Sequence, residues 1–465
     1  MSLQLPLRLL FAVSVVSAFS VCVVAGPARA QAPVAIVNAT VIDATSAEPR
    51  RGQTILIRGT KIEAVGPKAE VAIPLNARAI DAAGKFVIPG LWDMHTHIDT
   101  PGGEALLAAY VVNGVTGLRD MAAGWGTVTK WRRAIANGEL VGPRITASGP
   151  YLEGNPQPIP HIAVKNVADA RRGVDSLKAL GVDVIKLHTG LTRETFFAAA
   201  RRAREVGMPF AGHVPRTISA IEASDSGMRS IEHALTIPTP CTAAESLSLL
   251  PKFPVQRVLG PCSSAPLTPI FAAFARNNTW VTPTFVAAYE IAEWPQRALP
   301  GDAYAKYLPD TLKKFVAWIF PMPDSIPAGA ERVGRTMFNK RVALAGAMHR
   351  AGVHLLAGTD SPLRNSPPGF GLADELVLLA RGGVPLHDVL KIATLEPGRF
   401  FSATDSIGTV QPGRFADLVI LDRNPLTDAR NYRSVNAVIA NGRVFTQEDR
   451  DAILATLEAA GKPKP

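Results

Sequence analysis

Two histidines, His95 and His97, lie two positions apart in the segment 90–97 (GLWDMHTH). In an extended chain, side chains two positions apart project to the same side, so both imidazoles are expected to face one point. Neutral imidazole is a common ligand of zinc and similar divalent ions. A polar strand end is the alternative interpretation, and the pair alone does not exclude it.

Further residues with metal-ligand chemistry stand where later apolar segments end, namely Lys186, His213, His233 and Asp360. If those segments are parallel strands of one barrel, their carboxyl ends meet and bring these side chains close to the histidine pair. Imidazole and carboxylate groups suit zinc and similar ions. Taken together, the histidines and the aspartate predict a metal centre, in preference to polar residues that are satisfied separately.

Eight short apolar segments predict the strands that would carry these residues. They are residues 86–91, 115–120, 144–148, 182–188, 209–214, 230–235, 280–285 and 354–360. Helical patterns between them include 167–180 and 193–206. The alternation predicts an α/β protein with parallel strands joined by crossovers, and eight such units fit a closed (β/α)8 barrel. An open doubly wound sheet is the alternative, but no Gly-rich phosphate loop follows the first strand.

The two ends of the chain have another pattern, with short strands separated by Gly and Pro. Residues 34–37, 40–42, 54–58 and 61–65 form one group, and 417–421 and 435–440 form the other. Asn441-Gly442 between apolar residues predicts a hairpin. We therefore expect a small β-sandwich built from 31–86 and 405–446, a barrel over 87–404, and a C-terminal helix and tail over 447–465.

The first thirty residues predict a cleaved secretory signal peptide. Arg8 precedes the apolar run 9–24, and Ala28-Arg29-Ala30 offers the small residues that a signal peptidase reads. A transmembrane anchor is the alternative, but the run is shorter than the roughly 20 residues of a spanning helix. The expected location is the periplasm or the exterior, with no membrane anchor after cleavage.

The charge pattern bears on partners. The net charge of +10 falls to +8 when Arg8 and Arg29 leave with the signal peptide. These charges are scattered, and basic patches interleaved with aromatic residues are absent, so a nucleic-acid partner is not expected. A small-molecule substrate is expected instead, and homo-oligomer formation stays open.

Residues 33–445 resemble the amidohydrolase superfamily, and within it the imidazolonepropionase-like and prolidase-like (Xaa-Pro dipeptidase-related) enzymes. The matching motifs are PGLxDxHxH at 89–97, VTxxRD at 115–120, IK at 185–186, GH at 212–213, EH at 232–233, GTD at 358–360 and PGxxADLV at 412–419. The resemblance implies two divalent metal ions, zinc in preference to others, at the mouth of a barrel. It also implies that CO2 carbamylates Lys186, because a protonated ammonium has no lone pair to give a metal. A rim lysine that forms a salt bridge is the alternative.

The expected reaction is hydrolysis of a C–N bond, amide or peptide, by a hydroxide that bridges the two metals. Asp360 would act as the general base, and Lys186 would complete the catalytic set. Dipeptides and N-acyl amino acids are the expected substrates. Hydrolysis of a lactone, an ester or a small toxin at the same site is one alternative. A non-catalytic protein that only binds metal is another alternative. Such a protein would be expected to lack the general base, whereas Asp360 is present.

Two further groups of residues complete the site predictions. Candidate substrate contacts near the catalytic face are His188, Arg119, Tyr151, His161 and Arg364, any of which could also be a solvated or packing residue. Cys241 and Cys262, the cysteines left after signal cleavage, bracket a Pro- and Ser-rich insertion. In an oxidising compartment they predict a disulfide, with free thiols or metal ligation as alternatives.

Overall fold

The computed structural model describes residues 32–233, 236–242, 262–292, 300–319 and 330–461. The predicted signal peptide therefore lies outside the described residues, as do residues 462–465. Within the described ranges, no helix combines the length and the apolar character that crossing a membrane requires.

Strands and helices alternate through most of the chain. The strands are β1 (Val34–Val41), β2 (Arg50–Arg58), β3 (Lys61–Pro67), β4 (Arg78–Asp81), β5 (Phe86–Pro89), β6 (Leu91–Thr96), β7 (Val115–Asp120), β8 (Arg144–Ala147), β9 (Tyr151–Glu153), β10 (His161–Ala163), β11 (Ile185–Leu187), β12 (Phe210–Gly212), β13 (Ser230–Glu232), β14 (Thr239–Pro240), β15 (Cys262–Ser263), β16 (Trp280–Thr282), β17 (Leu418–Leu421), β18 (Val435–Ala440) and β19 (Arg443–Phe445). The helices are α1 (Gly103–Val112), α2 (Trp125–Ala136), α3 (Val167–Leu180), α4 (Arg193–Glu205), α5 (Ala220–Asp225), α6 (Thr268–Asn277), α7 (Phe285–Ala292), α8 (Asp310–Ile319), α9 (Ala330–Arg350), α10 (Gly371–Arg381), α11 (Leu386–Ala393), α12 (Leu395–Phe400) and α13 (Gln447–Gly461), with 3-10 helices at Pro300–Tyr307 and Ala429–Arg433.

Strands from the two ends of the chain share one mixed sheet, in the order β19-β18-β17-β5-β1-β2-β3, with β4 beside β1. The predicted hairpin is confirmed: β18 and β19 are antiparallel, and Asn441 and Gly442 between them have φ angles of 51° and 74°. The hydrogen bonds place all these strands in one sheet, so the predicted separate sandwich stays a prediction.

The prediction that residues 86–91 form the first barrel strand was wrong. β5 pairs with β17 and β1 in the terminal sheet, and β6 is the first strand of the parallel arrangement. The chain crosses from one to the other at Gly90, whose N–H donates to the Asp417 carbonyl over 2.8 Å. Pro89-Gly90 marks this junction in the sequence, but the apolar run resumes at Leu91, and the prediction carried one strand across it.

The remaining long strands form two parallel sheets, β6-β7-β8 and β10-β9-β11-β12-β13-β16. The Asp183 N–H donates to the Ala147 carbonyl over 3.0 Å, which joins one edge of the first sheet to the second. At the other edges, the predicted strand 354–360 lies between β16 and β6: the Leu356 N–H donates to the Val281 carbonyl over 2.9 Å, and the Met94 N–H donates to the Ala357 carbonyl over 2.8 Å. The architecture is thus α/β with parallel strands, and full closure stays a prediction.

Helices α3 and α4 begin close to where the sequence predicts. The Asn166 side chain accepts from the Asp169 N–H at the start of α3, and Gly181 ends that helix with a φ of 78°. The Thr192 hydroxyl caps α4 in the same way. Both helices bury their apolar faces in the main hydrophobic core.

Candidate metal centre

His95 and His97 lie at the end of β6, with His95 inside the strand and His97 just beyond it. The Asp360 Oδ1 atom lies 3.4 Å from Nε2 of His95 and 3.2 Å from Nε2 of His97. The His95 side chain is fully buried, whereas His97 and Asp360 keep 19% and 16% of their side-chain surface exposed. Both imidazoles therefore face the same carboxylate, at a place that small molecules can reach.

His233 and His213 extend this cluster from the ends of β13 and β12. The His233 ring lies 4.5 Å from the His95 ring and 4.7 Å from the His213 ring, measured between centroids. Ligand atoms of His95, His233 and Asp360 all lie within 4.8 Å of one another, which is a spacing that could hold a metal ion. The structure thus brings together imidazoles from three strands and one carboxylate.

The backbone around the cluster is strained. His233 and Asp360 have φ angles of 61° and 57°, in the left-handed region that non-glycine residues rarely adopt. Thr284, whose hydroxyl lies 2.8 Å from Nδ1 of His233, has a φ of 49°. Such strain costs about 1–3 kcal/mol per residue and concentrates at functional sites. Gly212, next to His213, has a φ of 125°, and a β-carbon there would collide with the Leu187 carbonyl.

Burial fixes the charge of the imidazoles. It holds the pKa of His95 and of His213 well below the usual histidine value, with repulsion from neighbouring cations adding to the effect. Both rings are therefore neutral and carry one lone pair each. Nε2 of His95 and Nε2 of His213 are buried and make no hydrogen bond within the described residues. Acceptor atoms left in this state fit a divalent metal ion.

Lys186 lies in β11 with 1% of its surface exposed. Burial lowers its pKa to about 8, although Asp360 and Glu232 partly offset this effect. Its ammonium nitrogen is 5.5 Å from the centre of the Tyr151 ring, and the described residues offer it no hydrogen bond or ion pair. A buried ammonium in such surroundings is costly, so the neutral amine is more accessible near neutral pH than it is in an exposed lysine.

Asp360 stays ionised despite its surroundings. Burial raises its pKa, but His233, His97 and Lys186 outweigh that effect and bring the pKa below the usual value. An ionised carboxylate can ligate a metal ion and can accept a proton.

Arg119 is not a substrate contact, so that prediction was wrong. It lies in β7 with no exposed surface, and it donates to both oxygens of Glu232 over 2.9 Å and to the Met94 carbonyl over 2.7 Å. Glu232, which the sequence analysis names only as part of the EH motif at 232–233 and gives no role, lies 2.7 Å from Nδ1 of His95. Its place beside His233 in the sequence was the signal that could have drawn attention to it.

His188 and Tyr151 lie against the metal-ligand cluster. The His188 ring is 4.3 Å from the His213 ring, and its Nδ1 atom hydrogen-bonds to the buried Glu153 carboxylate in β9, a second residue that the sequence reasoning missed. The Tyr151 ring is 4.7 Å from the His188 ring, and its buried hydroxyl makes no hydrogen bond within the described residues. The His188 side chain is 17% exposed and Tyr151 is fully buried, and their contact with a substrate stays a prediction.

His161 and Arg364 lie further out. The His161 ring is 6.1 Å from the Tyr151 ring, and its Nδ1 atom lies 3.0 Å from the Ile159 carbonyl. Arg364 is about half exposed and forms an ion pair of 2.8 Å with Asp302. Their contact with substrate stays a prediction.

Cys241 and Cys262 form a disulfide with a Cα–Cα distance of 5.6 Å, next to the short parallel pair β14 and β15. Residues 243–261 lie outside the described residues. Arg341, from α9, links this region to the cluster, because its guanidinium donates to the Thr239 hydroxyl over 3.2 Å and to the His233 carbonyl over 2.9 Å.

A family model named for the amidohydrolase family matches residues 86–445, which is most of the chain. The chain belongs to the amidohydrolase family. Membership supports a hydrolase that acts on C–N bonds. It also agrees with the resemblance drawn from the motifs, whose metal-ligand residues all lie inside the matched range.

Curated relatives of this amidohydrolase align over short stretches. An imidazolonepropionase of Pseudomonas syringae is 38% identical over 88 residues, 18% of this chain and 22% of that enzyme. An adenine deaminase of Rubrobacter xylanophilus is 36% identical over 78 residues, 16% of this chain and 13% of that enzyme. The aligned stretches thus span less than a quarter of either relative's length.

Solved structures match over nearly the whole chain. A bottromycin amidohydrolase has a TM-score of 0.72 at 22% identity, covering 93% of this chain and 91% of that one. A Xaa-Pro dipeptidase with bound methionine in its active site has a TM-score of 0.65 at 19% identity, covering 89% and 100%. At these identities the likeness shows the fold alone, and it implies a TIM-like barrel.

Proposed function

We propose that this amidohydrolase is a metal-dependent hydrolase that cleaves an amide or peptide C–N bond in a small molecule. Two divalent ions, zinc in preference to others, would be held by His95, His97, Lys186, His213, His233 and Asp360. Dipeptides and N-acyl amino acids are the proposed substrates. Supporting observations are the family membership and the convergence of these side chains.

The observation that carries the proposal is the state of the donor atoms. Two buried imidazole nitrogens lack hydrogen bonds within the described residues, and the buried Lys186 amine makes no hydrogen bond or ion pair there. An unsatisfied buried polar atom costs about 1–3 kcal/mol, so a fold that keeps several together gains little without a ligand. Carbamylation of Lys186 would supply the anion that bridges two cations, and its neutral amine is the form that reacts with CO2.

The chain's own residues would divide the chemistry among them. Bound divalent ions would supply an acidified water and a polarised substrate carbonyl. Asp360 would take the proton of the attacking water and return it to the leaving nitrogen. His188, held by Glu153, and the Tyr151 hydroxyl would orient the substrate beside His213.

We also propose a closed (β/α)8 barrel over residues 87–404 and a separate terminal unit from both chain ends. The hydrogen bonds and bridges between the edges of the two parallel sheets support closure. The mature protein would be periplasmic or secreted after removal of residues 1–30, a location in which the Cys241–Cys262 disulfide is stable.

The proposal is tested on the full mature chain, purified after growth with zinc and bicarbonate. Metal per chain is measured by mass spectrometry, and turnover is measured on matched panels of dipeptides, N-acyl amino acids and lactones. We expect about two metal ions per chain, because the proposed ligand set matches a two-metal site. Lys186→Met should lose metal and turnover together, while the exposed-lysine control Lys130→Met should lose neither.

Each outcome separates one alternative. Turnover confined to lactones or esters would replace the amide assignment with the ester alternative. Metal binding without turnover on any panel would favour a protein that only holds metal. Two metals and normal turnover in Lys186→Met would contradict the carbamate bridge.

A further inference from the structure

Three side chains from different strands form one buried chain of contacts that ends at the cluster. Arg119 of β7 donates to both oxygens of Glu232 of β13, and Glu232 lies 2.7 Å from Nδ1 of His95 of β6. The Ser230 hydroxyl lies 2.5 Å from Oε1 of the same carboxylate. None of these side chains touches solvent, since each is at most 1% exposed.

We propose that Glu232 and Arg119 are positioning residues that set the metal affinity of His95. The inference rests on the proposed metal-dependent function. A carboxylate held by a guanidinium can only accept a hydrogen bond, so Nδ1 of His95 carries the hydrogen and Nε2 keeps the lone pair. That lone pair lies on the side of Asp360, 3.4 Å from its Oδ1 atom.

The electrostatics of the pair point the same way. A carboxylate that accepts the Nδ1 hydrogen raises the basicity of the other ring nitrogen, and it also fixes the orientation of the ring. Arg119 neutralises the charge of Glu232 by donating to both of its oxygens. Its Nε atom also donates to the Met94 carbonyl over 2.7 Å, which anchors the backbone of β6 one residue before His95. The three contacts therefore control the tautomer, the basicity and the position of one ligand.

A purely structural ion pair is the competing account, and the chain contains one for comparison. Arg144 and Asp417 form an ion pair of 2.5 Å in which the Asp417 side chain is 9% exposed, and neither residue contacts the cluster. Asp417→Asn is therefore the matched control. It should lower stability without changing the affinity of the protein for metal.

The test is a zinc titration of chelator-stripped protein in competition with a chromophoric chelator. Glu232→Gln keeps the shape of the side chain but not its charge, and should weaken zinc binding by roughly 10–100-fold. Glu232→Asp, which restores the charge, should recover part of this loss. Cobalt(II) in place of zinc should give a shifted visible spectrum in Glu232→Gln and an unshifted one in Asp417→Asn.

If Glu232→Gln does not fold, Ser230→Ala is titrated instead, because it loosens the carboxylate while keeping every charge, and weaker zinc binding is again expected. Unchanged zinc affinity and an unshifted cobalt spectrum in the folded variant would overturn the inference while the proposed function stands. Weakened binding in Asp417→Asn equal to that in Glu232→Gln would also overturn it, because any lost ion pair would then suffice. A wild-type chain that binds no zinc would instead contradict the proposed function itself.

Discussion

Asp360 combines a left-handed backbone with a carboxylate that faces several imidazoles, and it is the proposed general base. Asp360→Asn keeps the size of the side chain but cannot accept the proton. We expect the catalytic constant to fall by about 10²–10⁴-fold, the usual contribution of positioned proton transfer. Turnover and metal content are measured together, with Asp225→Asn as the control, because Asp225 is half exposed and pairs with Arg276 rather than with a proposed ligand or substrate contact. Full turnover in Asp360→Asn at full metal content would remove Asp360 from the mechanism.

At the scale of single residues, the sequence predicts ligand types better than their partners. His95, His97, His213, His233 and Asp360 could be selected because each stands at the end of an apolar segment and carries a metal-binding group. The burial of Arg119 in an ion pair could not be predicted, because its partner Glu232 is distant in sequence and no local pattern marks such a pair. Glu153 was missed for a related reason, since its strand β9 is only three residues long.

The disulfide belongs to the scale of elements, because it closes a loop of sequence separation 21 between β14 and β15. Closing a loop of this size stabilises a fold by roughly 3 kcal/mol in the chain-entropy model. The double variant Cys241→Ser with Cys262→Ser should lose up to that free energy of unfolding in urea titrations. Wild type in a reducing agent should match the variant. Equal free energies of unfolding for the oxidised wild type and the double variant would show that the disulfide does not stabilise the fold.

Glu375 of α10 accepts from the Val286 N–H over 2.8 Å and so holds the start of α7. Burial raises its pKa from 4.5 to about 8. The folded state therefore keeps a proton that the unfolded state has lost, and stability falls as pH rises from about 4.5 to about 8. One proton limits the slope to about 1.4 kcal/mol per pH unit.

Glu375→Gln should remove this part of the pH dependence, because the amide cannot ionise. Unfolding free energies of wild type and variant are compared across that pH range, and the difference between them should favour the variant increasingly as pH rises. A constant difference would show that Glu375 does not titrate over this interval.

The positions of elements follow from the sequence only where a polar residue or glycine interrupts the apolar pattern. Helix α3 matches its prediction because Asn166 and Gly181 mark its ends. The boundary between β5 and β6 was missed although Pro89-Gly90 marks it, because apolar residues on both sides of this dipeptide were assigned to one strand. The segment 354–360 has the composition of a strand and shares backbone hydrogen bonds with β16 and β6, but it forms no continuous ladder with either strand.

Arg450 ties the C-terminal helix to both parts of the molecule. It is 7% exposed, and it donates to the Val112 carbonyl at the end of α1 over 2.6 Å and to the Val435 carbonyl of β18. Arg450→Met should lower the free energy of unfolding by about 2 kcal/mol, because buried carbonyls lose their donor. Arg430→Met, at an arginine whose side chain is 75% exposed, is the control and should leave the free energy of unfolding nearly unchanged. Equal effects of the two substitutions would contradict the anchoring role.

The terminal sheet also has a consequence for the order in which the molecule can fold. Pro89 of β5 pairs with Leu418 of β17, so a strand that precedes the proposed metal ligands cannot complete its pairing until a strand that follows them has been made. During synthesis from the N-terminus, this edge of β5 stays open until almost all of the chain has been made. An open strand edge is a template for pairing with other chains, and pairings distant in sequence form slowly. We therefore expect the nascent chain to stay prone to aggregation until β17 has been made and can pair with the open edge of β5.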